Sequence, residues 1–202
     1  MDSKATTVLT NLQRGNIEAK IATTAELSFH ERCGQGKNIQ KVEKIIKSCF
    51  LGEIEDEDLK QVADINQPDH DNQFTPLHWS CHCGQLRTTE KLLRFGANPN
   101  ALAKNLVSPL HLAASGGHHE VVRLLISKNA DINHLDIDGN SSLHYSSFAN
   151  APHTTNELIQ QVTLADVMRT NGDGKTAYHL AIENKAHLAQ TVIENFISNS
   201  LS

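Results

Sequence analysis

A four-residue motif recurs along this 202-residue chain at a fixed interval. Thr75-Pro76-Leu77-His78 is followed by Ser108-Pro109-Leu110-His111 and then by Ser141-Ser142-Leu143-His144. The interval is 33 residues, the difference between positions 75 and 108 and again between 108 and 141. A sequence that repeats every 20 to 50 residues or so builds an array of similar structural units, so this feature limits the possible folds more than any other.

Each copy has the pattern of two antiparallel helices followed by a turn. Pro109 stands at a helix start, where its missing N–H is no loss and its fixed φ is suitable. Leu110 and Ala113 follow at helical spacing, and the small alanine lets neighbouring helices approach closely. Gly117 ends this helix, and Val121 begins the apolar face of the next one. A single unit cannot bury both faces, so neighbouring units must stack.

Two further copies are less regular. A fourth motif begins at Thr176, two residues late, and its last helix, near residues 188–197, would cap the array. Upstream, Leu27-Ser28-Phe29-His30 predicts a degenerate first copy. An acidic insertion over about residues 50–70 separates it from the next copy, and we expect a mobile surface loop there. Residues 1–24 are expected to be a disordered tail.

The period and the Thr-Pro-Leu-His motif resemble the ankyrin repeat. The resemblance implies an all-α ankyrin-repeat solenoid of about five helix-turn-helix units, of which the first and last are atypical because they cap the stack. The repeat domain would occupy residues 25–202. Its repeats would start near positions 27, 75, 108, 141 and 176.

Composition restricts the compatible functions. A formal net charge of -5 provides no attraction to phosphates, so we expect no direct sequence-specific DNA binding. The sequence has no apolar run near the roughly 18 residues that span a bilayer and no signal-like apolar start, so we expect an intracellular protein without membrane insertion. Its four cysteines are expected to be free thiols.

The twelve histidines raise the question of a metal or catalytic site. Five of them share one repeat position, where the ankyrin family uses the imidazole for hydrogen bonds between units: His30, His78, His111, His144 and His179. Cys81 and Cys83 lie near His78, but on a helix they point about 200° apart, and Cys81 falls where Ala114 lies one period later. We therefore expect no zinc site, no cofactor, no catalytic residue and no enzymatic activity.

Four lysines form a basic stripe on the predicted second helix of the first repeat: Lys37, Lys41, Lys44 and Lys47. Spacings of four, three and three residues place them on one helical face. The stripe is either a solvated face or a docking edge for an acidic partner or for the nearby acidic insertion.

A protein ligand is expected on the concave face formed by the first helices and the turns of the array. The positions after the recurring histidines hold Trp79, Leu112 and Tyr145, and Ser115 and Phe148 lie further along the same helices. Trp79 is the only tryptophan of the chain, and aromatic side chains with a polar group often anchor interfaces. These five residues form the predicted peptide-binding groove. The alternative is that the two aromatic rings only pack between helices.

Segments outside the repeat motif resemble a narrower family. They are Leu9-Thr10-Asn11-Leu12-Gln13-Arg14-Gly15-Asn16, the approach to the first repeat, Leu102-Ala103-Lys104 without the usual glycine turn, and the ending Val192-Ile193-Glu194-Asn195. Over about residues 7–198 they resemble the family of regulatory factor X-associated ankyrin-containing proteins and ankyrin repeat family A proteins.

This resemblance implies a non-enzymatic adaptor in the nucleus and cytoplasm that helps assemble or regulate an RFX-type transcription factor complex. Family members engage RFX-type subunits, class IIa histone deacetylases or a receptor tail. Their ligands carry PxLPx(I/L)-like segments that lie extended in the groove, beside aromatic side chains that match Trp79 and Tyr145 here. The alternative is a cytoplasmic scaffold or membrane-receptor-tail adaptor unrelated to transcription. The acidic insertion, the late fourth motif and Asn150 in place of a glycine depart from the family pattern.

Overall fold

The computed structural model describes residues 45–46, 48–49, 52, 54–62 and 64–201. Apart from one isolated bridge between Thr170 and Thr176, the regular structure of these residues is helical. The named helices are α1 (Asp56–Lys60), α2 (Pro76–His82), α3 (Leu86–Arg94), α4 (Pro109–Ser115), α5 (His119–Ser127), α6 (Ser142–Phe148), α7 (Pro152–Ile159), α8 (Leu164–Val167), α9 (Ala177–Glu183) and α10 (His187–Leu201).

Among the described residues, four helix pairs stack in chain order. The inner helices α2, α4, α6 and α9 contact one another in sequence, and so do the outer helices α3, α5, α7 and α10. Each inner helix begins directly after the first residue of a recurring motif. This arrangement confirms the predicted all-α solenoid, whose described inner helices follow residues 75, 108, 141 and 176. From here on, the repeats that start at these four residues are called the first to the fourth repeat.

The recurring histidines complete the capping boxes at the starts of the inner helices, and His78 and His144 also link successive repeats. The backbone N–H of Thr75 donates to His78 Nδ1 at 3.1 Å, so the ring proton lies on Nε2. His78 Nε2–H then donates to the Val107 carbonyl of the next repeat at 3.2 Å. His144 makes the equivalent bond to the Lys175 carbonyl at 3.1 Å. The predicted hydrogen bond between repeats is confirmed for these two. It is not formed by His111, whose Nε2 has no hydrogen-bond partner, and His30 lies outside the described residues.

A turn precedes each inner helix, and we call these turns fingers 1 to 4: residues 69–75, 102–108, 135–141 and 170–176. Each finger has one equivalent left-handed residue: Gln73, Leu106, Gly139 and Gly174. Backbone hydrogen bonds of 2.8–3.1 Å join each finger to its neighbour, donated by Lys104 to Asn72, by Ile137 to Asn105 and by Gly172 to Asp138. The fingers therefore form one connected layer over the starts of the inner helices.

The described part of the acidic insertion is not the expected mobile loop. It contains α1, and Ile54 and Leu59 are buried. Lys91 Nζ on α3 donates to the Ile54 carbonyl at 2.7 Å, and Arg94 forms an ion pair with Asp56. The segment packs against the array for two reasons. Ile54 and Leu59 bury apolar surface, and the basic residues of α3 bind its backbone and its carboxylates.

The two extra residues before Thr176 lie between α7 and finger 4, a segment that contains the short helix α8. Thr163 begins this helix: its hydroxyl accepts the Asp166 N–H at 3.3 Å, and the Asp166 side chain accepts the Thr163 N–H at 3.0 Å. Finger 4 still bonds to finger 3, so the longer connection leaves the stacking of the fingers intact.

Candidate peptide-binding groove

Trp79 and Tyr145 each donate a side-chain hydrogen bond to an aspartate in the finger that precedes their helix. Trp79 Nε1–H donates to Asp69 Oδ2 at 2.9 Å, and the Tyr145 hydroxyl donates to Asp136 Oδ2 at 2.8 Å. The Oδ1 atom of each aspartate accepts backbone N–H groups of the finger turn, from Asn72 and Phe74 in finger 1 and from Asp138 and Asn140 in finger 3. Each aspartate therefore fastens its finger over the aromatic ring.

The predicted groove residues are largely covered. Tyr145 and Leu112 are 0% exposed, Trp79 is 7% exposed and Phe148 is 9% exposed. Ser115 alone of the five is half-buried. The prediction that Trp79 and Tyr145 line an open groove is thus corrected in favour of the packing alternative: the two rings lie beneath the fingers, which the aspartates hold in place over them.

Asp136 begins a chain of side-chain hydrogen bonds that connects finger 3 to finger 4. Besides the Tyr145 hydroxyl, it accepts Asn140 Nδ2 at 3.1 Å, and Asn140 Oδ1 accepts Asn171 Nδ2 of finger 4 at 2.8 Å. Burial, and then the nearby Asp136 carboxylate, raise the pKa of Tyr145 well above its usual value, so the phenol stays a neutral donor.

Sequence reasoning missed Asp69 and Asp136. The available signal was a carboxylate ten residues before Trp79 and nine before Tyr145. The repeat between them has Ala103 at the position equivalent to Asp136 and the apolar Leu112 at the aromatic position. The pairing of an aspartate with an aromatic donor is therefore visible in the sequence as an alternation between repeats.

The inner face opens at the ends of α4 and α6 that lie opposite the fingers. A groove of about 270 Å³ lies there between two repeats, lined by Ser115, Gly116, Gly117, Ala149, Asn150, Ala151, Pro152 and His153. Most of these side chains are small, so backbone atoms are accessible. Ser115 is the one predicted groove residue that lines this opening. We call it the Ser115 groove.

The cysteines and the lysine stripe singled out in the sequence add no binding site within the described residues. Cys81 is buried on α2, as its alignment with Ala114 predicts, and burial raises its pKa to about 12, so it is a protonated thiol. The lysine stripe at positions 37, 41, 44 and 47 lies outside the described residues. Within the described residues, no three His, Cys, Asp or Glu side chains are arranged to hold a metal ion, and no helix is long and apolar enough to cross a bilayer.

Repeated helix pairs, capping histidines and linked fingers define an ankyrin-repeat protein. A family model described as ankyrin repeats, in three copies, matches residues 33–136, which is about half of the chain. The chain belongs to the ankyrin-repeat family, and its array is a protein-interaction domain.

Among its relatives are two proteins of the narrower group that the sequence resembles. The chain is 39% identical over 115 residues to the human "DNA-binding protein RFXANK", covering 56% of this chain and 39% of that protein. It is 34% identical over 119 residues to the human "Ankyrin repeat family A protein 2", covering 57% and 32%. A third similarity, 34% over 154 residues, is to the human "Transient receptor potential cation channel subfamily A member 1", covering 74% of this chain and 13% of the channel. The chain thus spans about two fifths of the first relative's length and less of the other two.

Proposed function

We propose that this chain is a non-enzymatic adaptor that binds an extended, proline-containing segment of PxLPx(I/L) type on the inner face of the array. The observation that supports this proposal is the open Ser115 groove at the ends of α4 and α6. Its small side chains leave room for a prolyl or leucyl side chain, and the Ser115 hydroxyl and exposed backbone offer hydrogen bonds to an extended chain.

Trp79, Leu112, Tyr145 and Phe148 act in this proposal as the floor beneath the ligand. They keep the fingers and inner helices in fixed positions, which leaves less of the protein to be ordered when a ligand binds. A proline-rich segment is itself close to its bound, extended conformation before it binds. Both partners are therefore preorganised, which favours measurable affinity from a small interface.

The proposed biological role is to help assemble or regulate an RFX-type transcription factor complex in the nucleus and cytoplasm. Its support is the 39% identity to a human protein named for RFX and for DNA binding. The partners would be RFX-type subunits, with class IIa histone deacetylases or a receptor tail as further ligands of the same groove. With a net charge of -5, the chain would join such a complex through protein contacts and not through its own DNA contacts.

A second candidate is a cytoplasmic scaffold or receptor-tail adaptor unrelated to transcription. The observation that favours it is the wide match to the human transient receptor potential channel, which covers 74% of this chain against 56% for the RFXANK match. Repeats that stack by the same rules serve both kinds of protein, so the partner decides between the two roles.

A peptide titration tests the groove. We expect a fluorescent peptide with a PxLPxL core to bind with a dissociation constant on the order of micromolar. Ser115→Arg fills the Ser115 groove and should weaken binding at least tenfold, whereas Ser127→Arg on the outer helix α5 introduces the same side chain away from it and should have no effect. Absence of saturable binding, or equal affinities of the two variants, would refute the proposed site.

Affinity purification of the intact protein from nuclear and membrane fractions tests the partner. Recovery of RFX-type factors that is lost with Ser115→Arg would support the transcriptional role. Recovery of membrane proteins alone, lost with the same substitution, would support the second candidate and leave the groove in place.

A further inference from the structure

Two histidines lie close together across neighbouring outer helices. His119 is the first residue of α5, and His153 is the second residue of α7. Their ring centroids are 5.6 Å apart, and the ring planes are tilted by 44°. The repeat does not require this pair, because the first repeat has Leu86 and Arg87 at the equivalent positions.

The nitrogens of both rings are available to a ligand. Neither ring forms a hydrogen bond with any group among the described residues, whereas His78 and His144 use both of their nitrogens within the fold. His119 is half-buried and His153 is exposed, so ions in solution reach the pair. Imidazole nitrogens are ligands that Zn²⁺, Cu²⁺ and Ni²⁺ share.

The separation of the two rings suits one shared ion. Zn²⁺ binds imidazole nitrogens at about 2.0–2.1 Å in tetrahedral geometry, which places the centroids of two ligating rings about 5.3 Å apart. The 5.6 Å between the rings of His119 and His153 differs from this distance by only about 0.3 Å. Because His153 is exposed, its ring is free to turn one nitrogen towards the ion without a movement of the helices.

An ion pair one helical turn further along holds the two helices at this separation. Arg123 on α5 donates from Nε to Glu157 Oε2 on α7 at 3.1 Å and from Nη2 to the other carboxylate oxygen. Both oxygens of Glu157 are thus engaged, which leaves the two imidazoles as the protein ligands. Glu120 and Glu157 outnumber Arg123 beside the pair, and their charge offsets the positive ends of the two helices.

We propose that His119 and His153 bind one divalent transition-metal ion, of which Zn²⁺ is the type, with water in the remaining positions. The ion would link α5 to α7 and therefore the second repeat to the third. It uses none of the cysteines that the sequence argued against as zinc ligands. The site goes beyond the proposed function, because the ion can occupy it whether or not the Ser115 groove binds a peptide.

Calorimetric titration of the intact protein with Zn²⁺ tests the site. We expect saturable binding with a dissociation constant on the order of ten micromolar, because two imidazoles fill only half of a tetrahedral shell. His119→Gln and His153→Gln should each weaken binding at least tenfold. His187→Gln is the matched control, since His187 is the first residue of α10 and has no second imidazole beside it in the described part of the chain; its affinity should be unchanged.

Two further measurements separate the site from a structural effect and from thiol binding. Saturating Zn²⁺ should raise the melting temperature of the wild type but not of His153→Gln, and without metal the two should melt alike, because His153 is exposed. Co²⁺ in place of Zn²⁺ should give a spectrum without a sulfur-to-cobalt charge-transfer band.

The site would be overturned by any of four results. They are the absence of saturable binding, an unchanged affinity of His153→Gln, an equal loss for His187→Gln, and a sulfur-to-cobalt band, which would place the ion on a cysteine. If His119→Gln is unstable without metal, the exposed position His153 decides the question alone.

Discussion

The Tyr145 hydroxyl donates a 2.8 Å hydrogen bond to Asp136, a buried carboxylate of finger 3. Hydrogen bonds to a charged acceptor contribute more to stability than neutral ones, about 1.5–3 kcal/mol, because the acceptor is costly to bury without donors. This single bond connects the inner helix α6 to the turn that covers it, and its removal has a measurable consequence.

We predict that Tyr145→Phe lowers the free energy of unfolding by about 2 kcal/mol in urea titrations, because it leaves Asp136 with one donor fewer. Tyr178→Phe is the matched control: the Tyr178 hydroxyl donates to Glu194 at 2.8 Å on the outside of the array, where water replaces it. Its loss should be much smaller. Equal losses for the two variants would contradict the view that Asp136 depends on Tyr145.

Asn150 connects the third repeat to the fourth. It occupies the position of Gly117 with φ 53°, and its Oδ1 accepts the backbone N–H groups of Leu188 and Ala189 at 3.1 and 3.3 Å. Asn150 thus combines a left-handed backbone with a cap for the start of α10. The glycine expected at this position would provide only the first of these.

We predict that Asn150→Gly lowers the free energy of unfolding by about 1 kcal/mol, the usual contribution of a helix cap. Asn150→Ala should lose about 2 kcal/mol, because it removes the cap and also makes the left-handed backbone unfavourable. Asn150→Asp keeps an acceptor at the helix start and should remain near the wild type. If chemical denaturation shows equal stability for the glycine and alanine variants, the backbone argument fails.

The periodicity in the sequence predicted much of the array, and physical reasons explain where it stopped. Thr75, Ser108 and Thr176 begin helices as predicted, because proline and capping positions act locally. The burial of Tyr145 was left as the alternative to an exposed groove position, because it depends on a finger folding back onto its own helix and on a carboxylate nine residues away.

The acidic insertion shows a different limit of the sequence. Its charge predicted a loop, yet Ile54 and Leu59 are buried and Lys91 holds the backbone of the segment. The acidic composition of the whole segment conceals the two apolar side chains that it buries. Leu106 shows the reverse case: the sequence showed that the turn at Leu102-Ala103-Lys104 lacks its usual glycine, but only the backbone φ of 60° identifies Leu106 as the residue with the left-handed conformation.

The third repeat contains buried hydroxyls without partners. Ser147 on α6 and Thr154 on α7 are buried, and neither hydroxyl has a hydrogen-bond partner. The equivalent positions of the second repeat hold Ala114 and Val121, which are also buried. An unsatisfied buried hydroxyl lowers stability, and an apolar residue of the same shape removes this loss.

We therefore predict that Ser147→Ala and Thr154→Val each raise the free energy of unfolding by about 1 kcal/mol. Ser146→Ala is the control on the same helix. The Ser146 hydroxyl accepts Thr155 Oγ1–H at 3.0 Å, so its removal should lower the free energy of unfolding. Thermal denaturation of the three variants gives the comparison. A decrease for Ser147→Ala as large as that for Ser146→Ala would show that Ser147 has a role as a hydrogen-bonding group.

Three buried imidazoles link the stability of the stack to pH. Burial lowers the pKa of His78, His111 and His144 to about 4, whereas the unfolded chain has the ordinary value of about 6.5. Between these values the unfolded state binds protons that the folded state does not. Stability is therefore full above about pH 6.5, falls as the pH drops towards 4, and levels off below that. Each histidine contributes about 3 kcal/mol to the change.

His111→Gln isolates one of these three contributions. His111 Nε2 has no hydrogen-bond partner, so the substitution removes no bond between repeats, and glutamine three residues after the cap Ser108 can replace the imidazole in the capping box. Urea titrations at several pH values should show that the variant loses less stability than the wild type between pH 6.5 and 4, by about 3 kcal/mol. A wild-type stability that stays constant down to pH 4.5 would mean that the folded and unfolded states bind the same number of protons, which contradicts lowered pKa values of the buried imidazoles.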